Sequence, residues 1–351
     1  MSRYLSARYR DLVPYVPGEQ PKGRQFIKLN TNESPFPVSP EALARAYAAV
    51  RPLHLYSDPE SADLRQAMGE VYGLTADETL ACNGSDEALN FAFMAFCDEE
   101  TPALFPDVTY GFYRVAADAN RLPFEEIPLR EDFSLCLPDY EGKAGTLFLA
   151  NPNAPTGMAI PREEIEVWLS AHPDQVTVVD EAYVDFGSQS CAPLVRKYPN
   201  LLVVQTFSKS RSLAGARLGF AFGCADLIRD MNTLRNAVSP YNVNSFTQAL
   251  GIEVIRQQEE MKEHCRAVGE TRAWTAEMLH GLGFDVLPSK TNFVFARSPK
   301  MSGEAVWRAL REKGILVRHF DSPRIRDYNR ISIGTTEQME ALKDALTDIL
   351  S

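Results

Sequence analysis

Short apolar, β-branched runs alternate with helical segments through much of the chain, and this alternation restricts the fold more than any other feature. Helices are predicted at Tyr110–Ala119 and Arg162–Ala171. The runs predicted to be strands are Ala103–Phe105, Pro123–Ile127, Thr146–Ala150, Gln175–Asp180, Leu201–Gln205 and Leu218–Phe222. Because strands separated by helices pair in parallel, the pattern predicts an α/β fold with a mostly parallel central sheet flanked by helices.

The pattern changes after Ser239-Pro240. A long polar helical stretch is predicted from Asn244 to Leu282, and shorter strands and helices follow it. This second part reads as a smaller α+β domain. We therefore expect an N-terminal arm over residues 1–28 that packs on the small domain or a partner subunit, a large domain over 29–240 and a small domain over 241–351.

Polar residues follow the predicted strands at the edge where ligands bind in such sheets. Asp180 ends one strand, and Lys209 follows the next, preceded by Ser208 and followed by Arg217. A buried lysine with a lowered pKa can react with a carbonyl group, whereas a serine and an arginine suit a phosphate. These residues together predict a pocket for a phosphorylated aldehyde.

A second candidate for anion binding lies at Asn83-Gly84-Ser85-Asp86-Glu87. It joins a predicted strand, Thr79–Cys82, to a predicted helix that ends near Cys97. A glycine turn before a helix directs backbone N–H groups and the positive helix end toward an anion. The same residues are also a good helix cap without any ligand, so this motif alone leaves both interpretations open.

Composition excludes several other classes of function. The net charge of −11 argues against a general nucleic-acid or acidic-membrane surface. The six cysteines are scattered without a Cys-x-x-Cys pair, which indicates neither a zinc site nor a disulfide framework. We therefore expect reduced thiols and no metal. Without a long apolar run or a hydrophobic signal core, a cytoplasmic protein is expected.

Several motifs occur in an order that is far more specific than any one of them. They are Leu29-Asn30-Thr31-Asn32-Glu33-Ser34-Pro35, Tyr56-Ser57-Asp58-Pro59, Asn83-Gly84-Ser85-Asp86-Glu87, Thr109-Tyr110-Gly111, Asn151-Pro152-Asn153-Ala154-Pro155-Thr156-Gly157, Asp180-Glu181-Ala182-Tyr183, Ser208-Lys209 with Leu213-Ala214-Gly215-Ala216-Arg217, and Arg330-Ile331-Ser332-Ile333-Gly334-Thr335. Over essentially its whole length the chain resembles the fold-type I pyridoxal-phosphate aminotransferases, and among them the histidinol-phosphate aminotransferases.

The resemblance implies roles at the cofactor ring. Lys209 would bond the aldehyde of pyridoxal 5′-phosphate and later move a proton between substrate and cofactor carbons. Asp180 would keep the pyridine nitrogen protonated, Tyr183 would hydrogen-bond the ring oxygen, and Tyr110 would stack on the ring. The family usually also has an asparagine at the position of Ala154, directed at the ring oxygen.

Because this chain has Ala154 there, Asn153 is the substitute that we assign to cofactor binding, although Tyr183 could also serve alone. The other cofactor contacts implied are with the phosphate, from Ser85 and Asp86 through backbone N–H groups and from Ser208 and Arg217. Tyr56 would reach the phosphate from a partner subunit, which implies a homodimer with a shared active site.

On the substrate side, the resemblance assigns Arg330 to the substrate carboxylate, with Arg318, Tyr15 and Asn32 nearby. It implies ping-pong transfer of an amino group from histidinol phosphate to 2-oxoglutarate, in histidine biosynthesis, without nucleic acid or membrane as partner. Two alternatives on the same fold stay open, an aromatic amino acid aminotransferase and a threonine-phosphate decarboxylase.

Overall fold

The computed structural model describes residues 2–50 and 52–351. Its helices are α1 (Pro40–Ala49), α2 (Ala62–Tyr72), α3 (Ser85–Phe96), α4 (Phe112–Asn120), α5 (Arg162–Ala171), α6 (Ala225–Val238), α7 (Ser245–Ile255), α8 (Gln258–Gly281), α9 (Gly303–Glu312) and α10 (Thr336–Leu350). Its strands are β1 (Ile27–Lys28), β2 (Thr79–Cys82), β3 (Ala103–Pro106), β4 (Phe124–Ile127), β5 (Thr146–Ala150), β6 (Thr177–Asp180), β7 (Leu201–Thr206), β8 (Gly219–Gly223), β9 (Asp285–Val286), β10 (Phe293–Arg297), β11 (Ile315–Leu316), β12 (Arg318–His319) and β13 (Tyr328–Ser332).

The central sheet has the strand order β2-β8-β7-β6-β5-β3-β4. The five strands from β7 to β4 pair in parallel, and β8 is antiparallel to both of its neighbours. Every residue of β5, β6 and β7 is buried. Strands that are covered on both faces have no solvent side, which explains their unbroken apolar sequence. The predicted α/β fold with a mostly parallel sheet is confirmed.

Two layers of helices cover this sheet. On one face, Ala46 of α1, Leu64 of α2 and Leu250 of α7 pack in a core with Val203 of β7. On the other face, the core is formed by α3, α4 and α6 against the same strands. Burial on both sides fixes the direction and height of the strand ends, where the predicted site residues lie.

A second, antiparallel sheet has the order β12-β13-β10-β9 and packs with α8, α9 and α10 around its own core. The N-terminal arm is tied to this part of the molecule because β1 pairs in parallel with β11. These elements form the smaller α+β part that the sequence predicted.

The helical region after the central sheet differs from its prediction. Helix α6 follows β8 directly and was not predicted. The long stretch predicted from Asn244 to Leu282 is two helices, α7 and α8, which separate at Arg256 and Gln257. The side-chain amide of Gln257 donates to Ser39 Oγ (2.9 Å), a contact between distant parts of the chain.

The predicted boundary between the domains lies at 240/241, but α7 packs on α1 and α2 in the core of the large part. We therefore propose that the small domain begins near Gln257. The predicted strand Ile315–Arg318 is also divided, since β11 pairs with the arm whereas β12 joins the second sheet. Among the described residues, no helix is long and apolar enough to cross a membrane.

Candidate active site

A cavity of about 210 Å³ lies at the carboxyl ends of the parallel strands. It is lined by residues from the central sheet, the N-terminal arm and the small domain. Most of the predicted site residues meet in its wall: Tyr15, Asn32, Ser85, Asp86, Tyr110, Asp180, Tyr183, Ser208, Lys209, Arg217, Arg318 and Arg330. Residues that are remote in sequence therefore converge where the fold places a ligand site.

Lys209 reaches the cavity from the turn that follows β7. Its Nζ donates a hydrogen bond to the backbone carbonyl of Thr31 (3.1 Å) and lies 5.8 Å from the centre of the Tyr183 ring. Burial, together with the nearby positive charge of Arg330, lowers the pKa of Lys209 to about 8. Near pH 7 the neutral amine, which is the reactive form, is therefore far more populated than in an ordinary lysine.

Asp180 is the last residue of β6, and its carboxylate is buried in the cavity wall. It accepts hydrogen bonds from the Tyr113 hydroxyl (3.0 Å) and from the backbone N–H of Ala182 (3.2 Å). Burial raises the pKa of Asp180 to about 6, although these hydrogen bonds favour the charged form. A buried carboxylate in this state attracts a cationic partner.

One end of the cavity is suited to an anion. The first N–H groups of α3 have no partner within the helix, and they are preceded by Gly84, which has a left-handed φ of 86°. The Arg217 guanidinium lies 3.4 Å from an Asp86 carboxylate oxygen and 3.5 Å from the Ser208 hydroxyl. Helix end, hydroxyl and cation thus surround a single position.

The anion-binding end of the cavity requires glycine at two positions, because a side chain at either would clash with its neighbours. A Cβ on Gly84 would lie 2.6 Å from a guanidinium nitrogen of Arg217. A Cβ on Gly219, the first residue of β8, would lie 2.4 Å from the backbone of Gly84 and Ser85. The start of α3 therefore rests directly on β8, with no room for a side chain between them.

Tyr110 and Tyr183 supply the aromatic surface. The Tyr110 hydroxyl donates to Asp86 (2.8 Å), and its ring contacts Tyr15 edge to face at 5.9 Å. Tyr183 packs edge to face on Phe293, and its phenol oxygen accepts a hydrogen bond from the Asn32 amide (2.9 Å). Both rings are fixed by their hydroxyl groups as well as by packing.

Arg330 and Arg318 lie at the small-domain side of the cavity, and their states differ. Arg330 donates to the carbonyl of Asn30 (3.2 Å), but its buried Nε finds no hydrogen-bond partner among residues 2–50 and 52–351. An unpaired buried guanidinium donor is costly unless a ligand completes it. Arg318 instead donates to the carbonyls of Val16 (2.8 Å) and Pro17 (3.1 Å), which holds the arm in place beside Tyr15.

A second cavity, of about 450 Å³, adjoins the first. The two share Tyr15, Tyr110, Ala154, Arg318 and Arg330. The larger cavity extends over Val108 and Phe320, so it offers space for a side group of a ligand whose anionic end is bound at Arg330.

Two predicted site residues do not line the first cavity. The Asn153 side chain accepts from the Thr109 hydroxyl (2.8 Å) and donates to the carbonyl of Val108 (2.9 Å), so it braces its own loop. Tyr56 is 79% exposed and stacks on Tyr241 at 4.5 Å between ring centres.

Some contacts of the site were not predicted from the sequence. Tyr113, which holds Asp180, lies three residues after Tyr110, and this helical spacing is a signal that could have indicated it. No such local signal indicates the other two contacts. In these, the Thr31 carbonyl accepts a hydrogen bond from Lys209, and the Ser332 hydroxyl accepts one from the backbone of Asn32.

Comparison with known proteins gives a family for this arrangement. The family model described as aminotransferase class I and II matches residues 24–346. Histidinol-phosphate aminotransferase 1 of Bordetella parapertussis is 48% identical over 355 residues, with 100% of both chains covered. Histidinol-phosphate aminotransferase 2 of Gluconobacter oxydans is 47% identical over 352 residues, with 100% of this chain and 99% of that protein covered.

Among solved structures, the fold is similar to the histidinol-phosphate aminotransferase from Sinorhizobium meliloti in complex with pyridoxal-5′-phosphate. The TM-score is 0.88 at 23% identity, with 100% of this chain and 98% of the other covered. At that identity the likeness concerns the fold alone, and it confirms the fold-type I class that the motifs indicated.

Proposed function

The chain belongs to the aminotransferase class I and II family, and from that premise we propose that it transfers the amino group of histidinol phosphate to 2-oxoglutarate, with pyridoxal 5′-phosphate as cofactor. The choice of amino donor rests on the relatives called histidinol-phosphate aminotransferases, which are 47% and 48% identical to this chain over its whole length. The cavity supports the choice of cofactor.

The residues present suit each part of this cofactor. Arg217, Ser208 and the α3 N-terminus form a site for its phosphate. Asp180 offers a buried carboxylate for the pyridine nitrogen, and Lys209 offers an amine for the aldehyde. The charges of the cavity thus match an anion at one end and a cationic ring nitrogen at the other.

When bound, pyridoxal 5′-phosphate supplies an aldehyde that takes up an amino group and a ring that withdraws electrons from the substrate carbon. Asp180 would keep the ring nitrogen protonated, because its carboxylate is buried and, among the described residues, accepts hydrogen bonds from the neutral Tyr113 hydroxyl and Ala182 N–H rather than from a cation. Lys209 Nζ, with its pKa lowered to about 8, can accept a proton in its neutral form and return it in its charged form.

The unpaired Nε of Arg330 is the strongest support for an anionic substrate group. We propose that Arg330 holds a carboxylate of 2-oxoglutarate in one half of the reaction and the phosphate of histidinol phosphate in the other. The adjoining cavity over Val108 and Phe320 would then take the imidazole ring. We assign Arg318 and Tyr15 to closing the arm over this substrate, and the hydrogen bonds from Arg318 to the arm support that role.

We also propose a homodimer in which Tyr56 completes the cofactor phosphate site of the partner subunit. Tyr56 does not line the cavity of its own chain and is exposed beside other apolar side chains, Leu53 and Leu55. A cytoplasmic location and a role in histidine biosynthesis are part of the same proposal. All six cysteines are free thiols, which suits a reducing compartment.

A direct test compares three amino compounds with the cofactor-loaded protein. Histidinol phosphate, phenylalanine and threonine phosphate are each supplied with 2-oxoglutarate, and glutamate formation and carbon dioxide release are measured. We expect the highest kcat/KM for glutamate formation with histidinol phosphate, and no activity in a Lys209→Ala control. Faster reaction with phenylalanine would contradict the donor. Carbon dioxide release from threonine phosphate, without glutamate, would contradict the transferase assignment.

A further inference from the structure

Ala154 leaves the cavity without a hydrogen-bond donor at a position where one is expected. Its methyl group lines both cavities. The neighbouring Asn153 cannot take over, since its amide nitrogen already donates to Val108 (2.9 Å) and to the Thr156 hydroxyl (3.0 Å). Of the two side chains expected at the cofactor ring oxygen, Tyr183 is therefore the one that can still donate a hydrogen bond.

A side chain from the loop after β1, that of Asn32, forms a hydrogen bond with the Tyr183 hydroxyl. Asn32 Nδ2 donates to the Tyr183 phenol oxygen at 2.9 Å. The other end of the same amide, Oδ1, accepts from the Ser332 hydroxyl at 2.8 Å, and the backbone N–H of Asn32 donates to the same Ser332 oxygen at 2.9 Å. Asn32 thus connects Tyr183 to strand β13.

The structure gives each of these hydrogen bonds a direction. Ser332 accepts from the backbone N–H of Asn32 and donates its single hydroxyl hydrogen to Asn32 Oδ1. With the amide oxygen on Ser332, the NH₂ group faces Tyr183, whose oxygen accepts from it. The phenol hydrogen of Tyr183 is left free to donate in another direction, and the cavity lies on its open side.

Asn32 is also held rigidly. Its side chain is buried, and its carbonyl accepts from the Asn292 amide at 2.9 Å. Its φ of 56° is left-handed, a conformation that asparagine tolerates better than most residues. Asn32 is therefore held through its side chain, its N–H and its carbonyl.

We propose that Asn32 is a positioning residue that aims the Tyr183 hydroxyl at the ring oxygen of the cofactor, and that it thereby compensates for Ala154. The earlier expectation placed Asn32 among the substrate contacts, and the proposal gives it a different task. It rests on the proposed binding of pyridoxal 5′-phosphate at Lys209.

The proposal has a spectroscopic consequence. Once the cofactor is bonded to Lys209, its ring oxygen shares the proton on the connecting nitrogen. A hydroxyl that donates to the ring oxygen weakens the attraction of this oxygen for the proton. Loss of the donor therefore raises the pH at which the proton leaves, and the midpoint of the visible absorbance titration moves upward. For Asn32→Gly, which keeps the left-handed backbone without strain, we expect an upward shift of about 0.5 to 1 pH unit, the size of one lost hydrogen bond.

Two further variants separate aiming from general damage. Ser332→Ala removes only the hydroxyl that orients the Asn32 amide, and it should move the titration in the same direction by a smaller amount. It also keeps the test available if Asn32→Gly does not fold. Ser34→Ala is the matched control, because Ser34 lies in the same loop and bonds to Phe36 and Ser212 instead. It should leave the titration unchanged.

A double-mutant cycle decides whether Asn32 acts through Tyr183. Tyr183→Phe alone should shift the titration upward, and Asn32→Gly added to it should cause no further shift. Three outcomes would overturn the proposal. Asn32→Gly could shift the titration as much in the Tyr183→Phe background as in the wild type, Asn32→Gly and Ser332→Ala could both leave it unchanged, or Ser34→Ala could shift it as much as Asn32→Gly does. If the wild-type protein shows no visible band with added cofactor, the proposed function fails instead, so the two failures are distinct.

Discussion

At the level of single residues, burial in the site shifts the pKa values of two titratable groups in opposite directions. Burial lowers the pKa of the Lys209 amine to about 8 and raises the pKa of the Asp180 carboxyl to about 6, because the charged form is disfavoured in each case. The protein without cofactor therefore carries groups that reduce its stability, and a matching ligand relieves them.

Asp180→Asn should stabilise the cofactor-free protein while lowering transaminase activity. The folded pKa of Asp180 is raised from 3.8 to about 6, so this group favours folding below pH 3.8 and loses that contribution as the pH rises through about 6. The shift of roughly two units sets an upper bound of about 3 kcal/mol on the gain near pH 7.5. Urea unfolding at pH 4 and pH 7.5 measures it.

The matched control for that measurement is Asp174→Asn, on an exposed aspartate. It should change the free energy of unfolding at pH 7.5 by much less than Asp180→Asn does. If Asp180→Asn were no more stable than the wild type at pH 7.5, or equally active, the buried carboxylate would not have the role we assign to it.

The residue scale also shows what local sequence can and cannot predict. Asp180 and Lys209 could be assigned because the one ends a strand and the other follows the next strand, and Arg217 because it belongs to the same motif as Lys209. Asn32 and Ser332 are 300 residues apart, and only the tertiary fold brings them together. Asn153 was a natural substitute for Ala154 by adjacency, but the hydrogen bonds of its own loop direct it elsewhere.

At the scale of secondary-structure elements, the contact between α3 and β8 shapes the phosphate end of the cavity. Gly219→Ala should both destabilise the fold and weaken cofactor binding. The added methyl group would lie 2.4 Å from backbone atoms of Gly84 and Ser85, and backbone cannot move aside as a flexible side chain can. We expect about 1 to 3 kcal/mol of lost stability and roughly tenfold weaker binding of pyridoxal 5′-phosphate.

Gly215→Ala is the control for that substitution. Gly215 lies in the same segment, but no atom is within 4 Å of the position its Cβ would take. Thermal unfolding and a cofactor titration should leave Gly215→Ala close to the wild type. Equal effects of the two substitutions would show that close packing of α3 on β8 does not determine the phosphate site.

The elements of the sheet were predictable because the strands are buried on both faces and read as apolar runs. The predicted strand Thr146–Ala150 and helix Arg162–Ala171 have the bounds found in the structure. The separation of α7 from α8 was not predictable, since the helical pattern continues through Arg256 and Gln257. The break depends on tertiary contacts such as that of Gln257 with Ser39.

At the scale of the whole molecule, a shared active site predicts complementation between inactive subunits. In a heterodimer of Lys209→Ala with Tyr56→Ala, one site carries both substitutions and the other carries neither. Mixing the variants after reversible dissociation should restore up to about a quarter of wild-type sites, since half of the random dimers are mixed and half of their sites are intact. Transaminase activity of the mixture measures this.

The control for that experiment pairs Lys209→Ala with Asp180→Ala, which lie in the cavity of the same chain. Their heterodimer has no intact site, so mixing should restore nothing. Activity of the Tyr56 mixture that does not exceed the sum of its two components would contradict the role of Tyr56 across the interface.

Borohydride reduction of the cofactor-loaded protein, followed by digestion and mass spectrometry, tests directly whether Lys209 binds pyridoxal 5′-phosphate. We predict a phosphopyridoxyl label on Lys209, because its amine alone among the predicted site residues can bond the aldehyde. The label should disappear when histidinol phosphate is added before reduction without an oxo acid, since the substrate then displaces the lysine. A label on another lysine would contradict the role of Lys209, and a label on Lys209 that persists after histidinol phosphate would contradict the choice of amino donor.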